Sequence, residues 1–69
     1  MIPDVNRTQL EALIEIYVIG RNAERNRAIL RRRLFDGITY DLIAEEFQMS
    51  ERQIKNIVYK WERVIFSKL

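Results

Sequence analysis

Five polar residues near the start of the last predicted helix have side chains that could read DNA bases. They are Glu51, Arg52, Lys55, Asn56 and Tyr59. Arg and Lys pair with the N7 and O6 acceptors of guanine, Asn pairs with N6 and N7 of adenine, and Glu accepts from N4 of cytosine. When the apolar residues of this helix point inward, these five point outward. The residue types predict a surface that reads the major groove of double-stranded DNA, and a merely solvated helix face is the alternative.

Other residues have the hydroxyl groups or positive charges that bind phosphate. Helix N-termini and nearby hydroxyls are common phosphate ligands, as are Lys and Arg. We therefore expect contacts with the DNA backbone from Thr39, Tyr40, Ser50, Lys60 and Arg63. Helix capping alone also explains Thr39 and Ser50.

The charge distribution also favours binding to nucleic acid. The net charge is only +2, but the basic residues are concentrated in residues 21–35 and 51–69, on either side of the acidic residues 36–46. A fold that joins the two basic segments would present a positive face to nucleic acid. The alternative is that these charges simply solvate helix surfaces.

The composition argues against an enzyme. The chain has no His and no Cys, so the usual zinc and copper ligands are missing and disulfides are excluded. It has no glycine-rich phosphate loop, and the adjacent Glu45 and Glu46 point to different faces of a helix. We expect no catalysis, no metal and no cofactor.

The first ten residues, MIPDVNRTQL, have neither a basic n-region nor an apolar run, and no stretch approaches the length of a membrane span. We therefore expect a cytoplasmic protein that does not associate with membranes. The length of 69 residues predicts one domain, 1–69, with a core so small that a partner chain could help to stabilise it.

Helical periodicity predicts an all-α domain of four helices. The first should run from about residue 4 or 8 to 19, the second from 23 to about 35, the third from 40 to 47 or 48, and the fourth from 51 to about 67. Asn22 and Thr39 are predicted N-caps, and Ser50 with Gln53 forms the Ser-x-x-Gln pattern of a capping box.

The predicted buried faces follow the same periodicity. In the second helix, Ala23, Leu30 and Leu34 should face the core, with Ile29 and Phe35 beside them.

The segment from about 39 to 66 fits a helix-turn-helix. That motif joins two helices through a turn of three to four residues and requires close packing at the elbow. Ala44 supplies the small residue and Ser50 the sharp helix start. The remaining inward positions are Ile43, Phe47, Met49, Ile54 and Ile57. Gln48 occupies the turn position where Gly is common because φ is positive there. An ordinary helical hairpin would explain the apolar stripe equally well.

The run RAILRRRLFDGITYDLIAEEFQMSERQIKNIVYKWERV resembles region 4 of bacterial sigma factors and its small phage-encoded relatives. The residues that match are Leu30, Arg33, Leu34, Gly37, Thr39, Tyr40, Ile43, Ala44, Glu45, Met49, Ser50, Ile54 and Lys55. The resemblance covers roughly residues 24–66.

This resemblance implies a transcription regulator of phage or mobile-element type, found with the bacterial nucleoid or encoded by a phage. It also implies base contacts at positions 51, 52, 55 and 56, a backbone contact by Arg33, and RNA polymerase as a further partner. At 69 residues we expect a stand-alone regulator, because the regions with which a sigma factor melts the promoter and binds core polymerase would not fit.

Two alternative functions and one question about packing remain at the level of sequence. The chain could be a protein-interaction module that docks on RNA polymerase or another regulator without reading bases. RNA binding is disfavoured, because Tyr40 and Tyr59 are the only plausible stacking aromatics. The C-terminal apolar stripe either packs under the N-terminal helix or forms a homodimer interface. The stripe consists of Trp61, Val64, Ile65, Phe66 and Leu69.

Overall fold

The computed structural model of the protein describes residues 6–69, which form four α-helices and no strand. The helices are α1 (Arg7–Tyr17), α2 (Ala23–Leu34), α3 (Tyr40–Phe47) and α4 (Glu51–Phe66). The predicted all-α class is confirmed, and the bounds of α3 agree with the prediction. Within the described residues, no helix is both long and apolar enough to cross a membrane.

Helix α1 is shorter than predicted at its C-terminal end. It begins after Asn6, whose side chain accepts a hydrogen bond from the backbone N–H of Gln9 at 2.7 Å. It ends at Tyr17, whereas we expected Ile19, because Val18 is already extended and buries its side chain completely. The alternative start at Asp4 lies outside the described residues.

Asn22 occupies the predicted N-cap position of α2, but its side chain does not cap the helix. Asn22 precedes the helix but adopts a left-handed backbone with φ 64° and ψ 24°, and its side chain makes no capping hydrogen bond. The chain instead turns tightly, with the N–H of Ala23 donating to the carbonyl of Gly20 at 3.2 Å. Asn is one of the few residues that tolerates a left-handed conformation, which explains its presence in this turn.

The core is built from all four helices. Ile14, Ile29, Ile43 and Ile54, one from each helix, are fully buried. The predicted inner face of α2 needs correction, because Ile29 joins Leu30 at full burial while Ala23 and Leu34 are only half-buried. Helix α2 packs against α1, α3 and α4, so its central residues are covered from several sides.

A three-residue connection, 48–50, joins α3 to α4. Gln48 adopts the predicted left-handed conformation with φ 55°, and the N–H of Met49 donates to the carbonyl of Ala44 at 2.9 Å. The predicted capping box is present, since the Ser50 hydroxyl accepts from the Gln53 N–H at 3.0 Å and the Gln53 side chain accepts from the Ser50 N–H at 2.9 Å. Both ends of the connection are therefore fixed by hydrogen bonds.

Candidate nucleic-acid interface

From Arg52 to Arg63, one face of α4 is exposed and mostly polar. Four exposed residues, Arg52, Asn56, Tyr59 and Arg63, follow one another at intervals of four, three and four positions. That spacing places them on a single face of an α-helix. The opposite face contains the fully buried Ile54, Val58 and Ile65. The predicted split into inward apolar and outward polar residues is thus present in α4.

The predicted base-reading residues differ in how their side chains are held. Arg52 and Asn56 are exposed and make no side-chain hydrogen bond or ion pair with any residue from 6 to 69. Glu51 and Lys55 form an ion pair one helical turn apart, with 3.4 Å between the carboxylate oxygen and Nζ. Lys55 is therefore less free than the sequence suggested.

Two tyrosines and two cations from three elements meet where α3 begins. The rings of Tyr40 and Tyr59 are perpendicular, with centroids 6.0 Å apart. The Arg33 guanidinium lies 4.3 Å from the centroid of the Tyr40 ring and Nζ of Lys55 lies 5.7 Å from it. We call Arg33, Tyr40, Lys55 and Tyr59 the tyrosine–cation cluster.

A hydrogen bond to the backbone holds the tyrosine–cation cluster in place, in addition to the contacts with the rings. Arg33 also donates to the carbonyl of Ile38 at 3.1 Å, which ties the end of α2 to the connection that leads into α3. Burial and the neighbouring Tyr59 raise the pKa of the Tyr40 hydroxyl, so this group stays neutral and can donate a hydrogen bond at physiological pH. The cluster therefore presents positive charge and hydroxyl groups beside the first turn of α3.

Ser50 and Thr39, which were predicted both to cap helices and to contact phosphate, differ in the groups that they can offer a phosphate. Ser50 uses its hydroxyl oxygen as an acceptor within the capping box, so its hydroxyl proton can still be donated. Thr39 is exposed before α3 and makes no side-chain capping bond. A hydrogen bond from Thr39 lowers the pKa of the Asp41 carboxyl, which places a negative charge beside Thr39 and weakens the case for a phosphate there.

The arginines of α2 are mostly paired within the chain. Arg31 contacts the carboxylates of Glu11 and Glu15 on α1. Arg32 contacts Glu46 at 2.9 Å. Arg33 differs from both, because its guanidinium faces Tyr40 and makes no ion pair with a described residue.

The last two predicted backbone contacts lie further along α4. Lys60 and Arg63 are both exposed, and Nζ of Lys60 lies 4.8 Å from the centroid of the Trp61 ring. Arg63 continues the exposed face that begins at Arg52.

Two features of this surface could not be found in the sequence. Tyr40 and Tyr59 are nineteen positions apart, and only the packing of α3 on α4 brings their rings together. Glu62, which we did not single out, is half-buried, and burial raises the pKa of its carboxyl while nearby Arg33 opposes that shift.

No family model matches the chain, and no curated protein or solved structure is significantly similar to it. The resemblance to sigma region 4 therefore stays a prediction from the residues quoted above.

Proposed function

We propose that this protein is a sequence-specific DNA-binding transcription regulator that inserts α4 into the major groove. One observation carries the proposal: Arg52, Asn56 and Arg63 share one exposed face of α4 and have no partner among the described residues. The arginines of α2 show that this chain readily pairs its cations where acids are within reach. A cationic helix face left unpaired is what phosphates and base edges bind.

The connection between α3 and α4 supports a helix-turn-helix arrangement. Ala44 is 7% exposed and belongs to the same buried cluster as Ile43 and Ile54, as expected for a small residue at the elbow between two helices. In this arrangement the second helix reads base edges through its first turns while the first helix crosses the backbone. Arg52 and Asn56 then lie at the end of α4 that enters the groove.

The tyrosine–cation cluster supports a backbone contact beside that helix. Arg33 and Lys55 converge on the Tyr40 ring at the start of α3, which the arrangement places over the sugar-phosphate chain. The residue-level resemblance to sigma region 4 extends the proposal to a regulator of phage or mobile-element type that works in the bacterial cytoplasm, with RNA polymerase as a further partner.

A protein-interaction module is the second candidate. Ile16, near the end of α1, is 59% exposed, Ile19 in the α1–α2 connection is 61% exposed, and Leu69 is 50% exposed. Exposed apolar residues of this size are common at contact surfaces. If the protein docked on a partner through these apolar residues, the polar face of α4 would not need to bind DNA.

Salt dependence of duplex binding separates the two candidates. We would titrate a fluorescent random-sequence duplex with the protein and follow anisotropy at about 50 and 200 mM salt. Non-specific binding should give a dissociation constant of about 10⁻⁴ to 10⁻⁶ M, and three phosphate-bound cations should weaken it roughly 40-fold across that fourfold range of salt. An interaction module should hardly bind at either concentration.

A matched pair of variants locates the binding surface. Arg52→Glu and Arg21→Glu change the net charge equally, but Arg21 lies in the α1–α2 connection, at the end of α2 opposite to Arg33. We expect Arg52→Glu to lose most binding and Arg21→Glu to stay near wild type. Equal losses in the two variants would show that only net charge matters, and would contradict the proposed interface.

A further inference from the structure

The five residues predicted to read bases fall into two groups by their side-chain contacts. Lys55 is ion-paired with Glu51 and turned toward Tyr40, and Tyr59 is packed against the same ring. Arg52 and Asn56 are both exposed and make neither kind of contact with the described residues. Tyr59 shares the exposed face of Arg52 and Asn56 but is packed against Tyr40, whereas Arg52 and Asn56 are not held by any such contact.

Resting on the proposed function, we infer that only Arg52 and Asn56 select bases. Arg52 selects a guanine and Asn56 selects an adenine, and the two bases lie close together in the target. Arg forms a bidentate pair with O6 and N7 of guanine, and Asn does so with N6 and N7 of adenine. Both pairs require a side chain that can turn its planar end group fully toward a base edge. Only these two of the five residues are free to do so.

The helix fixes the spacing of the two bases. Residues 52 and 56 are four positions apart, which corresponds to about 6 Å along an α-helix axis. Successive base pairs are about 3.4 Å apart. With α4 lying along the groove, the guanine and the adenine are therefore within about two base-pair steps of each other, on the same strand or on opposite strands.

Lys55 and Tyr59 then contribute to affinity without choosing the sequence. Nζ of Lys55 lies 3.4 Å from the Glu51 carboxylate and 5.7 Å from the centroid of the Tyr40 ring, and both contacts draw its ammonium away from the bases. A side chain held there adds positive charge near the backbone. Glu51, which could otherwise accept from cytosine, is drawn toward Lys55 by the same ion pair.

Selection from a random duplex library tests this division. Libraries would be selected with the wild-type protein and with Arg52→Ala, Asn56→Ala and Lys55→Ala, after circular dichroism has shown that each variant is folded. Wild type should enrich one guanine and one adenine within two steps. Arg52→Ala should lose only the guanine preference and Asn56→Ala only the adenine preference, each from about 5- to 150-fold down to near one. Lys55→Ala should bind more weakly and enrich the same site.

Two results would overturn the inference while leaving DNA binding intact. The first is a Lys55→Ala variant that enriches a different base. The second is a selected site whose preferences survive both Arg52→Ala and Asn56→Ala. A wild-type protein that retains no duplex even at low salt would instead overturn the proposed function, and the inference with it.

Discussion

At the scale of single residues, the surface cations divide into those that are paired within the chain and those that are not. Arg32 is held by Asp36 and Glu46 on the outside of α2 and α3. Arg63 is exposed on α4 with no acidic partner among residues 6–69. Exposed ion pairs add little to stability, so this division matters mainly for binding. The unpaired cations on α4 and beside it, and not all twelve Lys and Arg residues, should set the salt dependence of DNA binding.

This division predicts the effect of Arg63→Ala on salt dependence. A phosphate contact contributes about one unit to the slope of log affinity against log salt, and its loss weakens binding to all sequences alike. We expect Arg63→Ala to flatten the slope by about one unit on both a selected and a random duplex. Arg32→Ala, which removes a paired cation, should leave the slope almost unchanged. A sequence-dependent loss in Arg63→Ala, or equal slopes in all three proteins, would contradict this assignment.

At the scale of the helices, the connection between α3 and α4 depends on one strained position. Gln48 has φ 55°, and its side chain is exposed and makes no hydrogen bond with a described residue. A left-handed conformation costs a residue other than Gly about 1–2 kcal/mol. The strain therefore lies in the backbone, and no hydrogen bond of the Gln48 side chain to a described residue compensates for it.

Gln48→Gly should stabilise the protein. Relief of the strain outweighs the larger entropy that Gly has in the unfolded chain, which leaves a net gain of about 0.5–1 kcal/mol in the free energy of unfolding. Urea denaturation followed by circular dichroism measures this quantity. Asn22→Gly is the matched control, because Asn22 is also left-handed at φ 64° but Asn tolerates that conformation better. A gain no larger than that of the control would contradict a strained turn at Gln48.

The sequence predicted those helix features that local signals determine. The bounds of α3 and the capping box at Ser50 follow from residues within four positions of each other. The end of α1 was predicted wrongly and the Asn22 side chain makes no capping bond, because the burial of Val18 and the turn from Gly20 to Ala23 prevail over the local pattern. We predicted Ile29 beside the core and not within it, because its burial depends on three neighbouring helices that the local pattern does not show.

At the scale of the whole molecule, packing of α1 on α2 changes where the free positive charge lies. Glu15 pairs with Arg27 and Arg31, so the arginine-rich helix is largely neutralised on that side. Among the described residues, the cations without an ion pair include Arg33 of the tyrosine–cation cluster and Arg52, Lys60 and Arg63 on α4. The sequence showed two basic segments, but only the fold shows which of their cations are ion-paired.

The fold buries one part of the C-terminal apolar stripe and leaves the other part exposed. Ile65 is fully buried and Trp61 and Val64 are half-buried, as expected if the stripe mainly completes the core. Phe66 and Leu69 remain 38% and 50% exposed. A homodimer through these residues stays a prediction, and a two-fold dimer would space its half-sites about 34–36 Å apart.

The central claim is that α4 reads the major groove, and methylation interference on a selected site tests it most directly. Dimethyl sulfate modifies guanine at N7, which lies in the major groove, and adenine at N3, which lies in the minor groove. We predict that methylation of the guanine contacted by Arg52 removes duplexes from the bound fraction, whereas methylation of adenine N3 within the site has little effect. Interference only from adenine N3, or binding that is indifferent to every guanine N7, would contradict the claim.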